Sequence, residues 1–255
     1  MIATDHLVFL HLHKSGGTFV NECLMLHAPH ARQIGYHLPR SMIPQEYAEL
    51  PILGFVRNPW SYYVSWFSFQ RGQVNPNNLY RILSDDGRLD FGGTLRNMLD
   101  LGAGSIRLDL VLRALPASYM NRGINLPGFA LAPIRGTRLG FYTYLYRYMY
   151  GGTGKPVRIG RMEALRDELP DMLAEAGETV TEGMAAFIAG AAARNRSKHD
   201  SYVRYYTDEL RELVAERDAE LIERHGYRFG EQVAVATASA PTTAQAGAVA
   251  STNSE

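Results

Sequence analysis

His11-Leu12-His13-Lys14-Ser15-Gly16-Gly17-Thr18 is the stretch from which the rest of this chain is read. Ahead of it runs Leu7-Val8-Phe9-Leu10, a short apolar run with two β-favouring residues. Behind it, Phe19-Val20-Asn21-Glu22-Cys23-Leu24-Met25-Leu26 reads as a helix. A strand, a turn with two glycines and a helix start would aim several backbone N–H groups at one spot, on the positive end of a helix dipole. Lys14 adds a mobile charge, and Ser15 and Thr18 add hydroxyls. The stretch therefore reads as a phosphate cradle. The plain alternative is a strand–helix turn that uses Gly16 and Gly17 for backbone freedom alone. A Walker A loop would place its lysine after the last glycine. Here Lys14 precedes both glycines, which weighs against an ATPase or kinase.

The chain has 255 residues, of which 46% are apolar and 20% charged, enough to bury a substantial core. Lysine plus arginine number 26, and so do aspartate plus glutamate. With zero net charge there is no reason to expect a bulk nucleic-acid binder, and an anion site must be a local cluster. The single cysteine, Cys23, excludes an intramolecular disulfide and a finger-type metal site. It is expected to be a core thiol. Met1 to His6 lack the basic region and long apolar stretch of a signal peptide, and no apolar run is long enough to span a bilayer. A cytoplasmic location is expected.

Outward from the loop, the pattern predicts a strand over 6–13, a helix over 18–27 and a short strand over 33–36 ending at His37. Pro51-Ile52-Leu53-Gly54-Phe55-Val56 is a continuous apolar run that suits a central parallel strand. It ends at Arg57-Asn58-Pro59, and a helix over 60–70 follows, with Pro59 at its first position. Residues 71–155 show poor periodicity. Two helical pieces are expected there, near 94–101 and 106–114. An aromatic cluster over 141–150 is either a hairpin or helix packed on the core, or a ligand-stacking face. A core strand is expected over 156–160, helical segments over 162–176 with Gly177 as C-cap, and a small helix over 184–193. The polar loop 194–199 precedes the clearest helix, 208–225, capped by Thr207 and stopped by Gly226. Residues 1–230 read as one domain and 231–255 as a disordered tail. Alternating strands and helices favour an α/β sheet with helices on both faces. Ligands of such sheets bind at the carboxyl ends of the strands. Lys14 to Thr18, His37 and Arg57 to Ser65 all follow predicted strands and should share that edge.

An arginine fork at Arg57 and a hydroxyl at Ser65, eight residues on, would suit a second phosphate or sulfate. Taken alone, Arg57 equally suits a carboxylate partner, and Ser65 an ordinary helix position. Together, Lys14-Ser15-Gly16-Gly17-Thr18 and Val56-Arg57-Asn58-Pro59-Trp60 with Ser65 resemble the sulfotransferases that use 3′-phosphoadenosine 5′-phosphosulfate (PAPS). Asn195-Arg196-Ser197, Tyr205-Tyr206 and Tyr227-Arg228-Phe229-Gly230 are loosely similar. The resemblance covers 6–70 and, loosely, 157–230. It is closest to the carbohydrate branch, including the heparan sulfate 2-O-sulfotransferase type. His13 departs from the proline found in many relatives.

The resemblance implies a three-layer α/β sandwich with a central, mostly parallel sheet of the P-loop sulfotransferase fold. It also implies roles. Lys14 would hold the 5′-phosphate and bridging oxygen. The N–H groups of Ser15, Gly16, Gly17 and Thr18, with the Thr18 hydroxyl, would hold the 5′-phosphate. Arg57 and Ser65 would bind the 3′-phosphate, and no metal is needed. His37, in Gly35-Tyr36-His37-Leu38-Pro39, would be the base, similar to a Gly-His stretch in some glycan sulfotransferases. A structural role for His37 is the alternative. His11 and His13 share a strand face and are expected to pack; Asp5 and Glu22 are weaker bases, and Lys198 and His199 are suggestive anion contacts. The expected acceptor is a hydroxyl of a sugar, glycan or other small molecule, with specificity set by 71–155. Two alternatives are a small-molecule P-loop kinase and a non-catalytic nucleotide-binding relative.

Overall fold

The apolar run before the loop yields a shorter strand than its composition suggests. In the computed structural model, which describes residues 1–192 and 200–231, the strands are β1 (Ile2–Ala3), β2 (Val8–Leu10), β3 (Arg32–Gln33), β4 (Ile52–Val56) and β5 (Val157–Arg161). They form one sheet in the order β3-β1-β2-β4-β5. β2, β4 and β5 are mutually parallel, while β1 is antiparallel to both β2 and β3. Four strands therefore run one way and β1 opposes them. β1 was not anticipated, because two apolar residues carry no periodicity. A turn makes it: Thr4 N–H donates to Leu7 O (2.9 Å), and Thr4 Oγ1 accepts from the N–H groups of His6 and Leu7. β2 stops at Leu10 rather than at residue 13, and β3 occupies only the first residue of the predicted 33–36 together with Arg32.

Strand alternation builds the layers. Val8, Leu10, Ile52 and Val56 point to one face, and Leu7, Phe9, Leu53 and Phe55 to the other. The second face is covered by α1 (Gly17–His27), α8 (Leu165–Glu175) and α9 (Glu182–Gly190). The first is covered by a larger group that includes α2 (Pro59–Arg71), α4 (Phe91–Leu99), α7 (Phe141–Tyr150) and α10 (Asp208–Arg217). Helices on both sides of a mostly parallel sheet make the three-layer α/β sandwich that was expected. Cys23 lies in the second-face core, and burial pushes its thiol up to about 11.

Residues 71–155 are more regular than their composition predicts. They hold α3 (Asn78–Leu83), α4, α5 (Ile106–Ala114), α6 (Gly128–Leu131) and α7. The aromatic cluster is the helix α7, with eight of its ten residues buried. A helix buried on most sides has no polar face for periodicity to reveal. The predicted 208–225 helix breaks at Asp218 into α10 and α11 (Ala219–His225). Thr207 caps it and Gly226, at φ 64°, ends it as read. Asn58 Oδ1 accepts from Ser61 N–H and caps α2 behind Pro59. Among the described residues no helix is long and apolar enough to cross a membrane. The predicted cationic loop 194–199 and the tail lie outside the described residues, apart from Glu231, which pairs with Arg161 at 2.9 Å.

Candidate active site at the ends of strands β2 and β4

β2 and β4 part company after Leu10 and Gly54, the last pair in their register. Beyond it the β4 backbone groups need other partners. Successive residues present theirs to opposite sides, and tyrosines meet them. On one side, the Tyr150 hydroxyl accepts from Phe55 N–H (3.1 Å) and donates to Phe55 O (2.8 Å), and the Tyr142 hydroxyl accepts from Arg57 N–H (2.8 Å). On the other, the Tyr227 hydroxyl lies 3.1 Å from Val56 O, and Glu163 Oε1 accepts from Asn58 N–H (2.8 Å). Tyr142 and Tyr150 are eight residues apart on α7, just over two turns, so they share a face. Gly54 leaves room for this: a Cβ there would sit 2.4 Å from the Tyr150 ring.

The loop from His11 to Gly16 passes through the opening. Lys14 is left-handed at φ 56°, and Gly16, the N-cap of α1, is at φ 81°. Gly17 is needed for contact rather than conformation, since its Cβ would lie 1.9 Å from the His11 ring. The first-turn N–H groups of α1 are those a helix leaves without an intrahelical partner. The Ser15 hydroxyl is spent inside the protein. It lies 2.8 Å from the Tyr142 hydroxyl and donates to His13 O at 3.1 Å. Arg57 N–H can only donate and His13 O can only accept, so the chain has one direction: Arg57 N–H to Tyr142, Tyr142 to Ser15, Ser15 to His13 O.

Arg57 is drawn toward the same loop. Its Nε and Nη2 donate to Ser61 Oγ (3.0 and 2.8 Å), and Nη1 reaches Lys14 O at 3.4 Å. Ser61, one turn into α2, was not singled out in the sequence. Ser65 is buried, 1% exposed, on the same helix. Lys14 Nζ lies 4.1 Å from the Phe69 ring centroid. Burial and then the Arg57 charge lower the Lys14 ammonium to about 8. Burial likewise lowers Arg57, opposed by Glu163 and Tyr142.

His37 arrives at the loop from beyond β3. Its ring stacks on His13 with centroids 3.8 Å apart at 21°, and lies 4.2 Å from the His11 ring. His37 Nδ1 is 2.7 Å from His11 O. A carbonyl only accepts, so Nδ1 carries the proton and Nε2 is the basic nitrogen. Burial, then His13 and His11, hold His37 well below the ordinary histidine value. The packing expected of His11 and His13 is observed, with both rings buried. Burial and Lys14 take His13 down to about 4, with the Ile124 backbone opposing. Glu22 lies on α1, and Asp5 is bound to His30 at 2.8 Å on the surface. Among the described residues no group of three or more His, Cys, Asp or Glu is arranged to hold a metal.

Lys14, Ser15, Arg57 and His37 are thus linked through short contacts at one sheet edge. The sequence did not reveal Tyr142, Ser61 or Glu163 as their partners. A solved structure of mouse sulfotransferase SULT7A1 complexed with PAP aligns with 86% of this chain and 84% of its own, at a TM-score of 0.50 and 15% identity. The chain has the sulfotransferase fold. No family model matches the sequence, and no curated protein does. At this identity the likeness is one of architecture: a sulfotransferase-fold sheet with the loop and Arg57 at the carboxyl ends of its parallel strands.

Proposed function

We propose that this protein is a PAPS-dependent sulfotransferase acting on a hydroxyl of a carbohydrate or other small acceptor. The observation that carries the reading is the meeting of Lys14 and Arg57. The Arg57 guanidinium bonds to the Lys14 backbone carbonyl, and its charge adds to burial in lowering the Lys14 ammonium, so the two cations act on one another. An anionic ligand opposes that effect, and two neighbouring cations suit two phosphates. The fold neighbour's complex with PAP, and the resemblance of both motifs to PAPS sites, support reading the nucleotide as PAPS.

PAPS supplies the sulfuryl group: the acceptor oxygen bonds to sulfur as the bond from sulfur to the 5′-phosphate oxygen breaks. The chain's own residues do the rest. Lys14 offsets the charge that gathers on the leaving oxygen. The N–H groups of the loop and the start of α1, from Ser15 through Gly16, Gly17 and Thr18, hold the 5′-phosphate. Arg57 and Ser65 hold the 3′-phosphate, with Ser61 steadying the Arg57 fork. His37, neutral and protonated on Nδ1, takes the acceptor proton on Nε2. Residues 71–155 shape the acceptor side, and the carbohydrate preference rests on the sequence resemblance alone.

Titration calorimetry with adenosine 3′,5′-bisphosphate and with ATP tests the donor site. Bisphosphate release from PAPS, followed across sugars, alcohols and phenols, tests the reaction, with Lys14→Ala as control. Bisphosphate binding and Lys14-dependent release are expected. Tight binding of ATP with none of the bisphosphate overturns the reading in favour of a kinase.

A further inference from the structure

His37 is held in a conformation that its own backbone disfavours. Its φ is 49°, in the left-handed region that a residue with a β-carbon rarely adopts. Such a residue stays there only where its surroundings over-determine it. Those surroundings come from the middle of the chain. Asn121 Oδ1 accepts from Tyr36 N–H (2.5 Å), and Asn125 Nδ2 donates to Tyr36 O (2.5 Å). Both peptide groups of Tyr36 are gripped, the second being the one that leads into His37. Asn125 is only 3% exposed. Its Oδ1 accepts from Met120 N–H (2.8 Å) and Asn121 N–H (2.9 Å), so its amide has one orientation, nitrogen toward Tyr36. Asn121 and Asn125 are themselves left-handed, φ 54° and 46°, a conformation asparagine tolerates better than most residues. Gly35 leaves room chiefly for Leu38, whose Cδ1 a Cβ there would meet at 2.4 Å, and also for Asn121 Oδ1 at 3.1 Å.

We propose that Asn121 and Asn125 are positioning residues for His37: by clamping Tyr36 they keep the His37 ring against His13, with Nδ1–H on the His11 carbonyl and Nε2 as the acceptor. This rests on the reading of His37 as the base. It gives part of the 71–155 segment a definite task, to join the acceptor side of the site to the reacting histidine. The groups facing His37 are the His11 and His13 rings, the Tyr36 ring and the Met1 amino group.

The test is long-range nitrogen–proton NMR of histidine-labelled full-length protein, with His37 assigned by His37→Asn. The parent should show His37 as the Nδ1–H tautomer, titrating well below 6.5. Asn125→Asp keeps the oxygen that Met120 and Asn121 need but sets a carboxylate against Tyr36 O. It should mix the tautomers and move the titration up toward the ordinary value. Asn121→Ala should do the same, whereas Asn121→Asp keeps the acceptor for Tyr36 N–H and should resemble the parent. Loss of packing alone would not separate the two aspartate variants. An unchanged His37 tautomer and titration in Asn125→Asp and Asn121→Ala, with both proteins folded, overturns the clamp. The base reading fails separately, if His37→Ala releases bisphosphate from PAPS as fast as the parent.

Discussion

The Tyr142 hydroxyl stands 2.8 Å from Ser15 Oγ and 2.8 Å from Arg57 N, and so joins the loop after β2 to the end of β4. Tyr142→Phe removes one acceptor and one donor from a buried chain. The Arg57 N–H is then left unsatisfied, at a cost of about 1–3 kcal/mol. Thermal unfolding should shift down by several degrees. Calorimetry should show adenosine 3′,5′-bisphosphate binding weakened about tenfold, because both halves of the site lose their common support. Unchanged affinity would mean that the loop and Arg57 hold their places without Tyr142.

Arg57→Ala should erase the preference for a 3′-phosphorylated nucleotide. Hydrogen bonds to a charged group contribute about 1.5–3 kcal/mol, so the affinity ratio of the bisphosphate to adenosine 5′-monophosphate should fall about tenfold or more. A ratio that stays put assigns the 3′-phosphate to another residue.

The pH profile of kcat/KM should be asymmetric. Lys14 must be charged, and its free-protein value of about 8 sets an alkaline limb there. His37 must be neutral, and burial holds it below 6.5, so the acid limb should fall well under that value. In kcat the alkaline limb should move up, because a bound polyanion restores the Lys14 charge. An acid limb at or above 6.5 would argue against His37 as the base.

Gly54→Ala tests the packing of the opening directly. The new Cβ would meet the Tyr150 ring at 2.4 Å, and overpacking of this kind costs about 1–3 kcal/mol. Denaturant unfolding should record that loss, and a fully stable variant would show that Tyr150 has room to move.

Asp218 is buried where α10 meets α11. It accepts from Tyr63 Oη (2.7 Å), Thr143 N–H (2.9 Å) and Thr143 Oγ1 (2.6 Å), and so caps the start of α7, the helix that carries Tyr142. Burial raises its carboxyl from 3.8 to about 6, against the pull of those bonds. The folded state thus holds the proton more tightly than the unfolded chain. The group's stabilising contribution is full below about 3.8 and is lost as pH rises through about 6. Asp218→Asn should remove that fall. Matching stability-versus-pH slopes for parent and variant over this window would place the ionisation elsewhere.

The parts of the candidate site that were legible in the sequence are those whose signals are contiguous. Lys14, Gly16 and Gly17 lie between an apolar run and a helical one, and Arg57 ends an apolar strand just before Pro59. Tyr142, Glu163, Asn121 and Asn125 act across 85 to 127 residues of sequence, and nothing in their neighbourhoods marks them. The break at Asp218 was invisible for a related reason. Its neighbours favour one continuous helix, and bonds to Tyr63 and Thr143 from elsewhere decide otherwise. Burial on nearly all sides likewise hid the helical nature of 141–150.

The tyrosines that take over from the β2–β4 ladder also bear on how a ligand enters. Their hydroxyls are short struts pinned to backbone atoms at Phe55 and Arg57, and α7 holds two of them in a single rigid piece. The strand ends are kept apart by the fold's own side chains. A frame braced in this way leaves little backbone to be ordered around whatever occupies the strand ends.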